Sequence, residues 1–396
     1  QSLRLLIRFQ YVKCWKQVKF SFSLFRLSRL LSTEQFDDRT VAQVIIDEGF
    51  PHESVRCETQ DGYVLHMDRI PNRKARKVIY FQHGILDSAF AWVGNGVSHS
   101  IALRAYSSKD VDVFLGNFRG FGLGPSQQQH LETTELFDKR NYWDYSFNEH
   151  AFYDVRAFVN KIREIKCKEL KKTDKDTIGD NGDNGDGDDS TCPSFTINVV
   201  AHSLGAGCIL AYLVQSQLTH QPHHLDNVML LAPSGIHQKI PLIANVLSAI
   251  GMPIVKRLVP YVGITTREKK VLFAKILQDL NNHPALRALM AVAVSKLLLG
   301  GPVEDSPFQY VHNLLYQSYN GTSVKVADHL MQMKRSGKFM AYDYGSAQLN
   351  RQHYGQDTPW NFLEHYKDID PIVPIHIMYG DDDRIIPPHN ILTHAH

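Results

Sequence analysis

The chain has 396 residues, 43% of them hydrophobic and 21% charged, with a formal net charge of +2. Such a composition can bury a large core, and the length exceeds one average domain while remaining ordinary for an α/β unit with insertions. A nearly neutral charge gives no case for nucleic-acid binding. Five widely spaced cysteines with no Cys-x-x-Cys pair indicate neither a zinc site nor a disulfide framework, and an odd count leaves at least one free thiol.

Residues 1–31 carry seven Lys/Arg and no acid, interleaved with Leu, Ile, Phe, Trp15 and Tyr11. No run there approaches the ~20 apolar residues of a membrane-spanning helix. The basic, amphipathic pattern over 1–37 reads as a membrane-surface helix or a cleaved targeting segment, against a plain basic tail. It favours a membrane-associated intracellular location, with a secretory or lysosomal destination as the other reading. The chain opens on Gln1 rather than methionine, so its true start is expected further upstream.

The ordered pattern then begins. A short helix is expected at 41–48, and Gln60-Asp61-Gly62 should turn a hairpin between strands at 54–59 and 63–69. Residues 77–82 read as a buried strand leading into His83-Gly84-Ile85-Leu86. A helix at 101–106 and a strand at 111–116 follow, the latter ending at Asn117-Phe118-Arg119-Gly120. From 148 to 170, Tyr153, Val155, Phe158, Val159, Ile162 and Ile165 give one apolar helical stripe. The stretch 171–191 is dense in Asp, Asn and Gly. It lacks the spacing and final glutamate of a calcium loop and reads as a solvated, disordered acidic loop.

Residues 195–200, Phe-Thr-Ile-Asn-Val-Val, read as a buried strand, and residues from Ala206 to Gln217 as a helix. Between them stands Ala201-His202-Ser203-Leu204-Gly205. Strand, tight turn with serine at its apex, then helix is the nucleophile-elbow layout of an α/β-hydrolase. Small residues two before and two after the serine let strand and helix approach; Ala201 replaces the glycine usual at the first. The alternating elements predict a mostly parallel sheet with helices on both faces after an antiparallel start. Core strands are expected again at 227–231 and 373–379, so 38–235 forms the first part of the core and 346–396 its return. The 236–345 stretch between them, with apolar runs at 241–255 and 285–299, is expected to form a helical cap. Asn320-Gly321-Thr322 fits a glycosylation sequon of a kind that also arises by chance.

In such a fold, working residues lie beyond the carboxyl ends of strands. Ser203 is the candidate nucleophile, and Ile85 and Leu204 are placed to give the two oxyanion N–H donors. The side chains of His83 and His202 read as structural. The acid should follow the late strand, where Asp381, Asp382 and Asp383 stand together and spacing alone does not choose among them.

Gln82-His83-Gly84-Ile85-Leu86-Asp87-Ser88, Asn95-Gly96, Leu115-Gly116-Asn117-Phe118-Arg119-Gly120, the elbow, Ala232-Pro233 and the 337–345 stretch (Gly-Lys-Phe-Met-Ala-Tyr-Asp-Tyr-Gly) together resemble the acid lipase family of α/β-hydrolases. The similarity runs over about 38–390, in the family's order, and includes gastric and lysosomal acid lipases, steryl ester hydrolases and a plant lipase-like branch. The resemblance implies a serine esterase acting on neutral lipid esters at a lipid or membrane surface, without cofactor, metal or nucleic acid. It also implies Asp383 as the triad acid, from Gly-x-x-Asp-x-hydrophobic-hydrophobic. The family's histidine follows one further strand. His389, His394 and His396 lie close after Asp383, on what reads as the next helix, which would point them away from Ser203. The sequence therefore looks truncated, without its last strand and general base. The competing expectation is a lipid-binding homologue that has lost the base.

Overall fold

A computed structural model of the chain describes residues 39–121, 142–178, 192–236, 259–263, 320–369, 373–383 and 385–395, with scattered positions between 272 and 283. The basic segment 1–37, the acidic stretch 179–191 and the apolar runs 241–255 and 285–299 lie outside the described residues.

The sheet starts at the expected hairpin, β1 (Glu53–Glu58) against β2 (Val64–Ile70), with Gly62 at φ 90° in its turn. A side chain with a Cβ would be strained there. β3 (Lys77–Gln82), β4 (Val111–Gly116), β5 (Thr196–His202), β6 (Asn227–Leu231) and β9 (Ile375–Met378) complete a seven-stranded sheet in the order β1-β2-β4-β3-β5-β6-β9. Only β1/β2 and β2/β4 are antiparallel; every later pairing is parallel. Two further short strands, β7 (Tyr261–Val262) and β8 (Thr322–Ser323), form a separate antiparallel ribbon. This is the α/β-hydrolase fold, with the antiparallel start and parallel continuation expected.

Strand alternation divides the core between the two faces. Val78, Tyr80 and Phe114 face one way and pack with Phe158, Ile162 and Tyr212. Phe81, Val113 and Leu115 face the other way and pack with Ile45, Phe90, Trp92 and Leu103. The second layer is made by α1 (Val41–Asp47), α2 (Gly96–His99) and α3 (Ile101–Tyr106). The first layer holds α4 (Val155–Ile178) and α5 (Leu204–Leu218). Helix α5 is buried nearly all round, as its small and aliphatic sequence requires of a central helix.

Two expectations need correction. Residues 171–178 belong to α4 rather than to a loop: the helix continues to Ile178, and Asp174 pairs with Arg76 at 2.6 Å. Charged and polar helix formers continue the α4 backbone where no apolar stripe remains to be read. Cys167 and Cys192 form a disulfide across a separation of 25 residues, tying α4 to the lead-in of β5. Cys57 and Cys208 are free and buried. Spacing along the chain could not reveal that the helix returns one cysteine beside the other.

Ahead of α4, Ser146 closes a capping box with Glu149, and residues His150–Asp154 form a π-helical turn. Single π turns of this kind re-aim a side chain within a helix. Here the turn carries Asp154 to Arg119.

Candidate active site

Ser203 ends β5 and opens α5. Its backbone sits at φ 52°, ψ −119°, a region that a non-glycine residue occupies only under constraint. The constraint is visible. Ser203 N–H donates to Leu231 O at 2.9 Å, and Ser203 O accepts from Gly207 N and Ser234 N, each at 3.1 Å. The turn is tight because its neighbours are small. A Cβ on Gly205 would stand 2.4 Å from His83 O, one on Gly207 2.5 Å from Ser234 O, and one on Gly84 3.0 Å from Ser203 Cβ. Ala201 is fully buried and fits the position usually held by glycine.

The turn after β3 faces the elbow. Leu86 has φ 59°, so the Ile85–Leu86 reversal is also held rather than relaxed. His83 fixes it from below: Nδ1 donates to Gly84 O at 2.7 Å, and Nε2 accepts from Phe118 N at 3.2 Å. Both ring nitrogens are used, and burial lowers the His83 pKa to about 4, against an upward pull from Asp87. His83 is thus a neutral structural ring. Ile85 and Leu204 border one small cavity together with His83, Leu86, Phe118 and Thr322. The Leu204 N–H lies in the first turn of α5, where the helix dipole favours developing negative charge.

At the far end of β9 the three aspartates separate. Asp381 and Asp382 are exposed, whereas Asp383 is half-buried. Its Oδ1 accepts from Ile385 N and Ile386 N, both at 2.9 Å. His202, beside Ser203, opens on solvent.

The histidines after Asp383 serve other ends. His394 is buried, with Nδ1 at 2.7 Å from Tyr366 Oη and its ring edge-on to Phe339. His389 is exposed on α8 (Pro388–Leu392), the helix that follows α5, α6 (Val324–Ser336) and α7 (Ala347–Tyr354). His396 lies outside the described residues.

Beneath the Ile85–Leu86 turn is a buried ionic network that the sequence did not announce. Arg119 pairs with Asp61 (2.6 and 2.9 Å) and with Asp154 (2.6 and 2.8 Å), and lies over the Tyr63 ring at 3.9 Å. His150 Nδ1 meets the other Asp154 oxygen at 3.0 Å. Desolvation pushes the Asp154 carboxyl up, but Arg119 and His150 outweigh it and hold it below the usual range. The network fixes the Asn117–Gly120 turn, whose Phe118 N–H in turn holds His83. The Arg119-Gly120 dipeptide was the one available signal. Its partners come from the hairpin turn and the π turn, far apart in sequence.

A larger cavity of about 610 Å³ lies elsewhere, between β1 and α4, bordered by Arg56, Glu58, Tyr153, Lys161 and Glu164. It contains none of the catalytic candidates above; of its charges, Arg56 pairs with Glu58 and Lys161 with Glu164, while Arg156 bonds Gln215 and Ser216. Among the described residues no His/Cys/Asp/Glu group could hold a metal ion. No helix among them is long and apolar enough to cross a membrane.

A family profile described as "Partial alpha/beta-hydrolase lipase region" matches residues 41–96. The chain is 26% identical to the gastric triacylglycerol lipase of Homo sapiens over 363 residues, 89% of this chain and 80% of that one. It is 27% identical to the tear acid lipase-like protein of Mesocricetus auratus over 329 residues, covering 81% and 72%. With the putative lysosomal acid lipase/cholesteryl ester hydrolase of Crotalus adamanteus it shares 25% over 331 residues, 81% and 72% of the two chains. Consistent matches of this length, in a chain folded around a strand–serine–helix turn, support its assignment to the acid lipase family of α/β-hydrolases.

Proposed function

We propose that the protein is a serine hydrolase that cleaves carboxylic esters of neutral lipids, triacylglycerol or steryl ester, through an acyl-enzyme intermediate. The observation that carries this reading is the constrained backbone of Ser203 at the start of α5, packed so closely on the turn after β3 that a Cβ on Gly84 would stand 3.0 Å from Ser203 Cβ. The names of its relatives supply the substrate class. Ser203 Oγ attacks the ester carbonyl, and the negative charge that forms on the carbonyl oxygen is received by the N–H groups of Ile85 and Leu204. The alcohol leaves, and water then releases the fatty acid from the serine. Asp383 orients the histidine that takes and returns the proton. That role is assigned to none of His83, His389 or His394, whose nitrogens or positions are committed as described above. A cap drawn from the 236–345 stretch receives the acyl chain.

Ser203→Ala in the full-length protein should abolish hydrolysis of a p-nitrophenyl long-chain ester with the fold intact, since loss of the nucleophile typically costs ~10⁶ in turnover. Retention of more than a few per cent of the activity would reject Ser203. Wild-type protein that binds lipid emulsions but turns over no ester would support the second reading, a lipid-binding homologue.

A further inference from the structure

We propose that Asn320 is a positioning residue for the oxyanion turn, acting where the chain re-enters the core after the long insertion. The proposal rests on the serine-hydrolase reading above and concerns how that site is held in shape. Asn320 N–H donates to Leu86 O at 2.9 Å, and its side-chain Nδ2 donates to Asp87 O at 3.2 Å. Two donors of one residue thus grip consecutive carbonyls directly after Ile85. The grip falls where it is needed, because Leu86 has φ 59°. An isolated non-glycine residue in that region relaxes unless surrounding bonds hold it.

Asn320 is itself firmly seated. It is 2% exposed. A Cβ on Gly263 would overlap Asn320 O at 2.2 Å, and one on Gly120 would overlap Gly321 O at 2.5 Å. The following residues, Thr322 and Ser323, pair with Val262 and Tyr261, and Tyr261 stacks on Trp143 at 4.8 Å. The Asn320–Thr322 segment is therefore wedged between the Gly120 turn, the Gly263 turn and the oxyanion turn. Nδ2, the atom to which a glycan would attach at a sequon, points inward as a hydrogen-bond donor. In the folded molecule, Asn-Gly-Thr reads as a clamp and not as a glycan site.

If Asn320 only supported the fold, its loss would lower stability and leave the chemistry of surviving molecules unchanged. If it aims the Ile85 N–H, its loss falls on the transition state, because that donor matters most when the carbonyl oxygen carries charge. The test compares Asn320→Ala and the similarly sized Asn320→Asp with wild type and Ser203→Ala, in the full-length protein. We expect kcat on a p-nitrophenyl long-chain ester to fall ~10- to 100-fold in both Asn320 variants, a fraction of what removing a whole oxyanion donor costs. KM should stay within about twofold, because ground-state binding is not what the donor supplies. Hydrogen exchange of the 84–88 backbone should accelerate while exchange in β3 and α5 remains that of wild type. An unchanged kcat in both variants, or an unchanged 84–88 exchange rate, overturns the proposal. So does a loss of activity that merely tracks global unfolding. If wild type shows no turnover that Ser203→Ala removes, the hydrolase reading is what has failed, and the exchange measurement alone then decides whether Asn320 holds the turn.

Discussion

Ser203 carries the strain on which the site depends. Holding a non-glycine residue at φ 52°, ψ −119° costs on the order of 1–3 kcal/mol. The cost is met by three backbone hydrogen bonds around it and by a largely buried helix behind it. The same logic selects among the three aspartates. Asp383 alone is half-buried and has one oxygen fixed by two backbone N–H groups, whereas Asp381 and Asp382 are solvated. Asp383→Asn should lower turnover by ~10⁴ with little change in KM, because the acid sets the tautomer of its histidine. Asp381→Asn and Asp382→Asn should stay near wild type. A large loss from Asp382→Asn, with Asp383→Asn mild, would move the acid by one position.

At the scale of elements, the site is a product of how closely α5 approaches β3. Gly205 permits that approach: a Cβ there would lie 2.4 Å from the His83 carbonyl, a backbone atom with no rotamer to escape into. Gly205→Ala should therefore destabilise the protein by ~1–3 kcal/mol and push the Ile85–Leu86 turn away from Ser203. Activity should fall more than stability alone explains, as measured by urea denaturation beside ester turnover. Wild-type stability and kcat in this variant would mean that strand and helix are less tightly joined than described. This junction was legible in the sequence because the required residue types sit next to one another in the chain. The bounds of β3, β4, β6 and α3 were equally legible, from short apolar runs closed by turn residues. Asp112 was not. It stands fully buried within β4, where Arg69 holds it at 2.5 and 3.0 Å and Lys166 at 2.8 Å. Those partners come from β2 and α4, and local patterning cannot name a partner brought in by topology. Asn320 escaped for the same reason: as a sequence it is a sequon, and only the returning chain turns it inward.

For the whole molecule, two buried neutral histidines contribute to the response to acid. Burial lowers both His83 and His329 to about 4 from an ordinary 6.5, in each case against a smaller upward pull from neighbouring groups. The unfolded chain thus takes up these protons first as pH falls. Stability from this source is fully present above pH 6.5 and drains between 6.5 and about 4. Each ring contributes up to ~1.4 kcal/mol per pH unit over that window. Asp154, held below its ordinary 3.8, adds its loss only at still lower pH. Denaturation midpoints at pH 7.0, 5.5 and 4.5 should decline steadily, and His329→Gln should flatten the slope. A midpoint that does not move across this range would mean that the rings are protonated, or solvated, in the native state. The disulfide belongs to this scale too: the cysteines it joins are 25 residues apart and meet only because α4 runs back along the sheet.

The central claim is that Ser203 is the nucleophile of an ester hydrolase, and covalent trapping tests it most directly. Full-length protein treated with a long-chain fluorophosphonate, digested and mapped by mass spectrometry should carry a single adduct on the peptide containing Ser203. The adduct should be absent after heat unfolding and from Ser203→Ala. An adduct on another residue, or none from native protein under conditions that label a known serine esterase, would contradict the account.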